Sequence, residues 1–253
     1  MGSLRRCSRR YETSSDQGEH MTIPRIIHQT WRDERVPVPL QRLAESWKRN
    51  HPGWEYRLWT DVENREFISK YYPQFLDPYD SYAYHIQRVD AVRYFILYTF
   101  GGLYVDLDFE CLRSLDLLLS KHECLFGLEP REHCEIHSRE RIIGNALMAT
   151  TPGHSFFLAI IDDLTSYCPP QGHRNDIILE TTGPFMLTRV YDRCRPTNVS
   201  LLPSRCFYPL SVKELERAAQ VGWSQADCLK IREANAIHYF AGTWWRLVAA
   251  STP

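Results

Sequence analysis

The sequence lacks the features that mark membrane proteins, nucleic-acid-binding proteins and disulfide frameworks. Its longest apolar stretch, Val92–Val105, is interrupted by Arg93 and by a glycine pair, so it predicts no membrane-spanning helix. The formal net charge is −1, and a nearly neutral chain offers no electrostatic surface for nucleic acid. None of the eight cysteines forms a CxxC pair, and we expect all of them to be reduced thiols.

The first 21 residues lack the apolar centre of a secretion signal. They are polar, with several serines and arginines, which predicts a disordered tail before one folded domain over residues 22–253. Without a secretory route the sequon at Asn198 would stay unused, and we expect a cytoplasmic location. Hydrophobic residues make up 43% of the chain, which is enough for one large core.

Beyond the tail, short apolar segments alternate with helical patterns. The apolar segments predict strands at Ile23–Trp31, Trp54–Trp59, Gly101–Asp108, Glu123–Leu128, Ile142–Thr150, Asn198–Leu202 and Ala236–Tyr239. Helices are predicted at Leu40–Asn50, Asp61–Lys70, Tyr82–Phe100, Leu112–Leu119, Ser155–Tyr167 and Pro184–Cys194. The alternation predicts an α/β fold with a mostly parallel sheet, and a ligand outside the carboxyl ends of its strands.

A glycine pair, a short apolar strand and two aspartates give the strongest functional signal. Side chains alternate along a strand, so Asp106 and Asp108 should point to the same side at its end. Buried unpaired carboxylates are costly, and two hard oxygen donors suit a divalent cation that also holds a phosphate. The pattern predicts a metal or phosphate site at these two residues, with a solvated acidic turn as the alternative.

The helix that ends at the glycine pair carries two charges among apolar residues. Asp90 and Arg93 lie one turn apart where nearly every neighbouring position is apolar, so both should be buried and need partners. One interpretation is an ion pair that braces the helix. The other places Asp90 on the hydroxyls of a sugar and Arg93 beside a sugar or phosphate oxygen. We favour the second, because the helix leads directly into the aspartate strand.

These motifs occur with others in a consistent order along the chain. HQTW at residues 28–31, RVDAVRY at 88–94, GGLYVDLD at 101–108 and HYFAGTW at 238–244 together resemble the DXD-containing sugar transferases of glycosyltransferase family 32. That family includes yeast α-1,6-mannosyltransferases and inositol-phosphoceramide mannosyltransferases, and its core is similar to that of the clostridial glucosylating toxins. The resemblance covers residues 23–246.

The resemblance implies a single-domain GT-A (Rossmann-like) fold and a retaining transfer of a hexose from a nucleotide sugar to an acceptor hydroxyl. Mn²⁺ or Mg²⁺ would hold the donor diphosphate, since a cation there neutralises the departing nucleoside diphosphate. GDP-mannose is the favoured donor, ahead of UDP-glucose and UDP-galactose. The expected acceptor is a carbohydrate, a glycolipid or a small molecule. No acid is marked as a nucleophile, so front-face attack assisted by the departing phosphate is preferred.

The positions that match the family's motifs also imply roles for individual residues. Catalytic roles fall on Asp90, Arg93 and Asp106. Metal ligands fall on Asp106, Asp108 and His238, the last being a diphosphate contact in an alternative interpretation. Donor contacts, with the nucleobase stacked on Trp31 and a lid at Trp244, fall on Thr30, Trp31, Asp90, Arg93, Tyr104, Asp106, Asn145 and Trp244.

Several of these residues also have a purely structural interpretation. Trp31 and Trp244 could be packing residues, because aromatic side chains fill protein cores. His238 and Asn145 could satisfy hydrogen bonds within the fold. The spacing alone leaves these alternatives open.

Other functions are compatible with parts of the pattern. A non-catalytic nucleotide-sugar-binding protein would need the same donor residues. A phosphatase of the haloacid-dehalogenase type also uses a DxD strand, but Glu110 stands where that class needs Thr or Val. His133 and His137 have the i, i+4 spacing of zinc ligands on a helix, yet no clear third or fourth ligand accompanies them.

Overall fold

The computed structural model describes residues 22–166 and 172–242 and confirms the predicted α/β class. Its strands are β1 (Ile26–Thr30), β2 (Glu55–Trp59), β3 (Gly102–Val105), β4 (Phe109–Cys111), β5 (Cys124–Leu128), β6 (Ile143–Thr150), β7 (Ser200–Leu202) and β8 (Ala236–His238). Its α-helices are α1 (Val38–Asn50), α2 (Asp61–Tyr71), α3 (Leu76–Ser81), α4 (His85–Phe100), α5 (Asp116–Leu119), α6 (Arg131–Ile136), α7 (Ser155–Ser166), α8 (Arg174–Thr181), α9 (Pro184–Cys194), α10 (Val212–Val221) and α11 (Gln225–Glu233).

Six strands form the central sheet, in the order β2-β1-β3-β6-β5-β7. β1 is parallel to β2 and β3, β5 is parallel to β7, and β6 is antiparallel to both of its neighbours. The sheet is therefore mostly parallel, as predicted, with β6 reversed. The carboxyl ends of β1 and β3 and the amino end of β6 meet at one edge, which brings Thr30, Asp106 and Asn145 to the same region.

Two strands outside the central sheet pair beside this edge. β4 is antiparallel to β8, with Phe109 opposite His238. The sequence predicted β8 as a late strand, but it did not predict β4 or the pairing. Because of this pairing, β8, the last described strand, lies beside the two aspartates of the DxD motif.

Helices pack on both faces of the central sheet, and β3 shows how the core divides. Leu103 and Val105 lie in the same apolar cluster as Trp47 of α1, whereas Tyr104, between them, packs with the residues of α4. The indole N–H of Trp47 donates to the Phe109 carbonyl oxygen at 3.0 Å, which ties α1 to β4. Helix α4 is covered along most of its length, so Asp90 and Arg93 are buried with it.

The glycine pair between α4 and β3 is required by close packing. Gly101 and Gly102 adopt φ angles of 64° and 90°, which favour glycine. A Cβ atom on Gly102 would lie 2.5 Å from the Cγ2 of Ile26 and 2.6 Å from its carbonyl oxygen. The predicted helix end at this pair is confirmed, and the glycines let β3 approach β1 directly after the turn.

The structure corrects several element predictions. The helix expected at Leu112–Leu119 is only the short α5, because the preceding residues continue from β4 into a loop. Helices α3, α6, α8, α10 and α11 were not predicted. The last two begin at capping boxes, from Ser211 to Glu214 and from Ser224 to Asp227, and that Ser-x-x-acid pattern was the available signal.

Two negative expectations can be compared with the described residues. Across residues 22–166 and 172–242, the helices are too short or too polar for any of them to cross a membrane. Six of the eight cysteines have free thiols, as predicted, at Cys111, Cys124, Cys134, Cys194, Cys206 and Cys228. Cys7 and Cys168 lie outside the described residues.

Replacing Gly102 tests the role of the glycine pair. We expect Gly102→Ala to lower the free energy of unfolding by about 3 kcal/mol, since a strained φ and a clash with Ile26 add together. Gly53→Ala is the matched control, because Gly53 has a φ of 82° but no atom lies within 4 Å of the place that a Cβ would take there. That variant should lose only about 1 kcal/mol in urea unfolding. Equal losses in both variants would contradict the packing argument.

Candidate active site

Three potential metal ligands meet beside the edge of the central sheet. The ligand atoms of Asp106, Asp108 and His238 all lie within 4.8 Å of one another. Asp106 and Asp108 come from the turn between β3 and β4, and His238 is the last residue of β8. The sequence placed all three in the metal site, and the structure brings them together.

Asp108 and His238 form a close pair. His238 Nε2 lies 3.0 Å from Asp108 Oδ1, and the backbone N–H of Ala241 donates to Asp108 Oδ2 at 2.8 Å. Burial opposes the ionised form of Asp108, but the His238 imidazole and the Ala241 N–H hold the pKa of that carboxyl below its usual range. Burial also opposes the charged form of His238, yet the Asp108 carboxylate raises its pKa above the usual value.

Aromatic rings enclose the His238 side chain. The Phe109 ring stacks on the imidazole at 4.4 Å with an interplanar angle of 7°, and the Phe240 ring lies 4.0 Å away. His238 Nδ1 is buried and makes no hydrogen bond within the described part of the chain. Neither phenylalanine was predicted to contact His238, because both contacts depend on the pairing of β4 with β8.

Arg93 joins the DxD motif to helix α4. Its side chain is 2% exposed, with Nη2 2.9 Å from Asp90 Oδ1 and Nη1 3.2 Å from Asp106 Oδ1. Nη1 also donates to the carbonyl oxygen of Asn145 at 3.0 Å, and the guanidinium lies over the Tyr104 ring. The structure shows the bracing ion pair between Asp90 and Arg93, and it adds a contact of the same guanidinium with Asp106. Contact of Asp90 and Arg93 with a sugar or phosphate stays a prediction.

Asp90 lies behind the motif in a fully buried position. Asn145 Nδ2 donates to Asp90 Oδ1 at 3.2 Å, and Thr182 Oγ1 lies 3.4 Å from Asp90 Oδ2. Burial raises the pKa of Asp90 to about 7, against the opposing charge of Arg93. The contact of Thr182 with Asp90 has no local sequence signal.

Asp106 is held by a tyrosine as well as by Arg93. Tyr104 donates its hydroxyl to Asp106 Oδ1 at 2.8 Å, and Thr30 Oγ1 lies 2.9 Å from the same tyrosine oxygen. Burial raises the pKa of Asp106, the Arg93 cation opposes the rise, and the neighbouring Asp108 adds to it. Asp106 and Asp108 are adjacent acids whose pKa values are displaced in opposite directions.

The predicted aromatic contacts of the donor are only partly described. Trp31 follows β1 and is half-buried, and its backbone N–H donates to the Trp59 carbonyl oxygen. Its indole nitrogen is buried without a hydrogen bond to the described residues. Trp244, the predicted lid residue, lies outside the described residues. The nucleobase contact and the lid stay predictions.

The alternative zinc pair does not form a metal site. His133 Nδ1 lies 2.9 Å from Glu129 Oε2, and its Nε2 accepts from the Val212 backbone N–H at 3.1 Å. His137 lies beyond the end of α6 against the Phe185 ring. Among residues 22–166 and 172–242, Asp106, Asp108 and His238 are the only such group of three potential ligands.

Comparison with known proteins agrees with this geometry. A family model described as a glycosyltransferase sugar-binding region containing a DXD motif matches residues 37–125, which include Asp106 and Asp108. This match favours the sugar-transferase interpretation over the phosphatase.

Two curated fungal proteins are similar to the chain. Inositol phosphoceramide mannosyltransferase 3 of Schizosaccharomyces pombe is 39% identical over 173 residues, covering 68% of this chain and 46% of the relative. Mannosyl phosphorylinositol ceramide synthase SUR1 of Saccharomyces cerevisiae is 38% identical over 169 residues, covering 67% and 42%. The chain spans roughly half the length of the curated relatives that it matches.

A solved structure shows a similar fold. The PaToxG glycosyltransferase superimposes with a TM-score of 0.52 and 16% identity, over 84% of this chain and 85% of that one. At that identity the likeness concerns the fold alone, and it agrees with the predicted GT-A arrangement. The family model adds the DXD motif, and the fungal relatives add sequence identities of 39% and 38%. The chain therefore belongs to the family of DXD-containing glycosyltransferases.

Proposed function

We propose that this protein is a metal-dependent, retaining glycosyltransferase that moves a hexose from a nucleotide diphosphate sugar to an acceptor hydroxyl. The observation that carries the proposal is the cluster of Asp106, Asp108 and His238, with Arg93 and Asp90 directly behind it. The family of the chain supports the reaction class, and the names of the fungal relatives favour mannose as the sugar.

The three potential ligand side chains suit a divalent cation. Two carboxylates and an imidazole are grouped closely enough to share one ion, and both acids keep some exposure, 28% for Asp106 and 17% for Asp108. Mg²⁺ prefers oxygen ligands throughout, so the imidazole of His238 favours Mn²⁺. When bound, the cation would neutralise charge on the donor diphosphate. Before the cation binds, His238 and the Ala241 N–H hold Asp108 ionised and correctly placed.

Arg93 positions the acids of the site. Because it is 2% exposed and contacts both Asp90 and Asp106, it provides the counter-charge that lets two buried carboxylates lie close together. Direct contact of Arg93 with the donor stays a prediction. Asp90, held by Asn145 and Thr182, is proposed to accept hydrogen bonds from the hydroxyls of the donor sugar.

The nucleotide is proposed to bind at the end of β1, with Thr30 lining its pocket and Trp31 stacking on the base. GDP-mannose is the favoured donor, and UDP-glucose or UDP-galactose are the alternatives. The three acids of the site already have partners in Arg93 or His238. This pairing supports front-face attack, in which the departing phosphate takes the proton of the acceptor hydroxyl and no enzyme nucleophile is needed.

The fungal relatives also suggest an acceptor. Both are named for inositol phosphoceramide chemistry, so we propose a glycolipid head group as the acceptor, with a carbohydrate or small molecule as alternatives.

Removing one acid tests the metal assignment. We expect Asp108→Asn to reduce Mn²⁺-dependent release of GDP or UDP by about 100-fold or more, because the amide is a poor metal ligand yet has nearly the same shape. The assay screens GDP-mannose, UDP-glucose and UDP-galactose with and without Mn²⁺.

Asp80→Asn is the matched control for this substitution. Asp80 is also an acid in an ion pair, with Arg65 at 2.7 Å, but it lies on the exposed surface. Exposed pairs contribute little to stability, so this variant should keep full release. Full activity in Asp108→Asn, with the fold intact by circular dichroism, would show that the metal assignment is wrong.

The pH dependence of stability tests the environment of Asp90. The folded-state pKa of about 7 lies above the ordinary value of 3.8, so the folded state binds the proton more tightly than the unfolded state. The contribution of Asp90 to stability should therefore fall as the pH rises from about 4 to about 7, by about 1.4 kcal/mol per pH unit within that window. Asp90→Asn removes the titrating group. In urea unfolding, the free energy of unfolding of the variant should therefore rise relative to that of the parent as the pH increases across this range. A difference between the two proteins that stays constant with pH would contradict the burial argument.

A further inference from the structure

The first turn of helix α2 lies beside the segment that carries Trp31. β1 and β2 pair in parallel as far as Thr30 and Trp59, and the chain continues into Trp31 after one strand and into Asp61 after the other. The backbone N–H of Trp31 donates to the Trp59 carbonyl oxygen at 2.9 Å, and that of Asp61 donates to the Arg32 carbonyl oxygen at 3.4 Å. The start of α2 is therefore held against the residues that follow β1.

This place is joined to the candidate active site in two ways. Thr30 Oγ1, at the end of β1, lies 2.9 Å from the Tyr104 hydroxyl, which donates to Asp106 at 2.8 Å. His85, which contacts the first residue of α2, begins α4, and Asp90 follows on the same helix after about 7.5 Å of helix rise. A nucleotide whose diphosphate lies at the DxD motif would therefore place its base near the start of α2.

Asp61 offers a partly exposed carboxylate at this place. Its side chain is 33% exposed, and its Oδ2 lies 2.7 Å from His85 Nε2. The other oxygen, Oδ1, makes no hydrogen bond with the residues that the structure describes, 22–166 and 172–242. His85 thus fixes the carboxylate through one oxygen, while the other stays open to a ligand.

A second polar group on the same face of α2 also lacks a partner. Asn64 lies one turn after Asp61, at the start of the face that packs into the core through Phe67 and Ile68. Its side chain is fully buried, and neither the amide nitrogen nor the amide oxygen has a hydrogen bond within the described part of the chain. Buried amides nearly always have partners, so this one indicates a polar ligand at the first turn of α2.

We propose that Asp61 selects a guanine nucleotide by accepting hydrogen bonds from the edge of the base. The inference rests on the proposed function, and it names the residue that decides between guanine and uracil donors. Guanine carries two adjacent donors, the ring N1–H and the 2-amino group, and one carboxylate can accept from both while keeping its contact with His85. Uracil carries a single N–H between two carbonyl oxygens, and the same carboxylate would repel those oxygens.

Exchanging the carboxylate for an amide tests this assignment. Asp61→Asn keeps the shape of the side chain but adds an N–H donor, which opposes the 2-amino group of guanine and matches the 2-oxo group of xanthine. The probes are GDP, UDP and xanthosine diphosphate, each measured by calorimetry with Mn²⁺. Asp33→Asn is the matched control. It removes the same charge two residues after Trp31, where Asp33 contacts only Arg32 and the backbone N–H of Arg35 among the described residues.

The assignment predicts a switch in base preference. The parent and Asp33→Asn should bind GDP about tenfold more tightly than UDP or xanthosine diphosphate. Asp61→Asn should weaken GDP binding about tenfold or more and should bind xanthosine diphosphate more tightly than GDP. A purely structural role of Asp61 at the start of α2 would weaken all three nucleotides together and would create no preference for xanthine. Equal weakening of the three, or an unchanged preference for GDP in Asp61→Asn, would overturn the proposal.

Binding and turnover together separate this inference from the proposed function. If a UDP-sugar is turned over and GDP does not bind to the parent, the role of Asp61 is wrong and the glycosyltransferase proposal stands. If Asp61→Asn switches the preference to xanthosine diphosphate but no nucleotide sugar is turned over, the glycosyltransferase proposal fails and the role of Asp61 stands. Absence of GDP binding to the parent overturns the inference in either case.

Discussion

The buried guanidinium of Arg93 is the interaction on which the candidate site depends. Carboxylates at the end of a buried strand repel one another and lose hydration, so a cation must lie among them. Arg93 contacts Asp90 on its own helix, Asp106 after β3 and the carbonyl oxygen of Asn145 in β6. One side chain thus fixes the relative positions of α4, β3 and β6. The tight turn at Gly101 and Gly102 keeps α4 and β3 close enough for this contact.

The second constraint is the pairing of β4 with β8, which makes the two acids of the motif different. Asp108 lies against His238 and accepts from the Ala241 N–H, and its pKa is held below the usual range. Asp106 lies against Arg93 and Tyr104, and burial raises its pKa. Asp108 is therefore the acid that is more readily ionised and the stronger candidate for a permanent cation ligand. The ionisation of Asp106 depends more on its neighbours, because burial opposes its charge and the Arg93 cation favours it.

Local signals in the sequence predicted the centre of this arrangement. The i, i+2 spacing of the aspartates, the charged pair in an apolar helix and the glycine pair are short-range patterns, and the structure confirms that Asp90, Arg93 and Asp106 meet. The surroundings could not be predicted in the same way. Strand β4 has only three residues, and the contact of Thr182 with Asp90 joins positions 92 residues apart. The ring of Phe240 meets His238 only after β8 has paired with β4, so no periodicity in the sequence predicts this contact.

The position of a bound cation tests the central claim most directly. Crystals grown with Mn²⁺ and GDP would be measured at the manganese absorption edge, and the anomalous signal locates the ion independently of any assay. The account predicts one strong peak about 2.2 Å from a carboxylate oxygen of Asp108 and from a ring nitrogen of His238, in contact with the diphosphate. A peak elsewhere on the protein, or a bound nucleotide without manganese beside these residues, would contradict it.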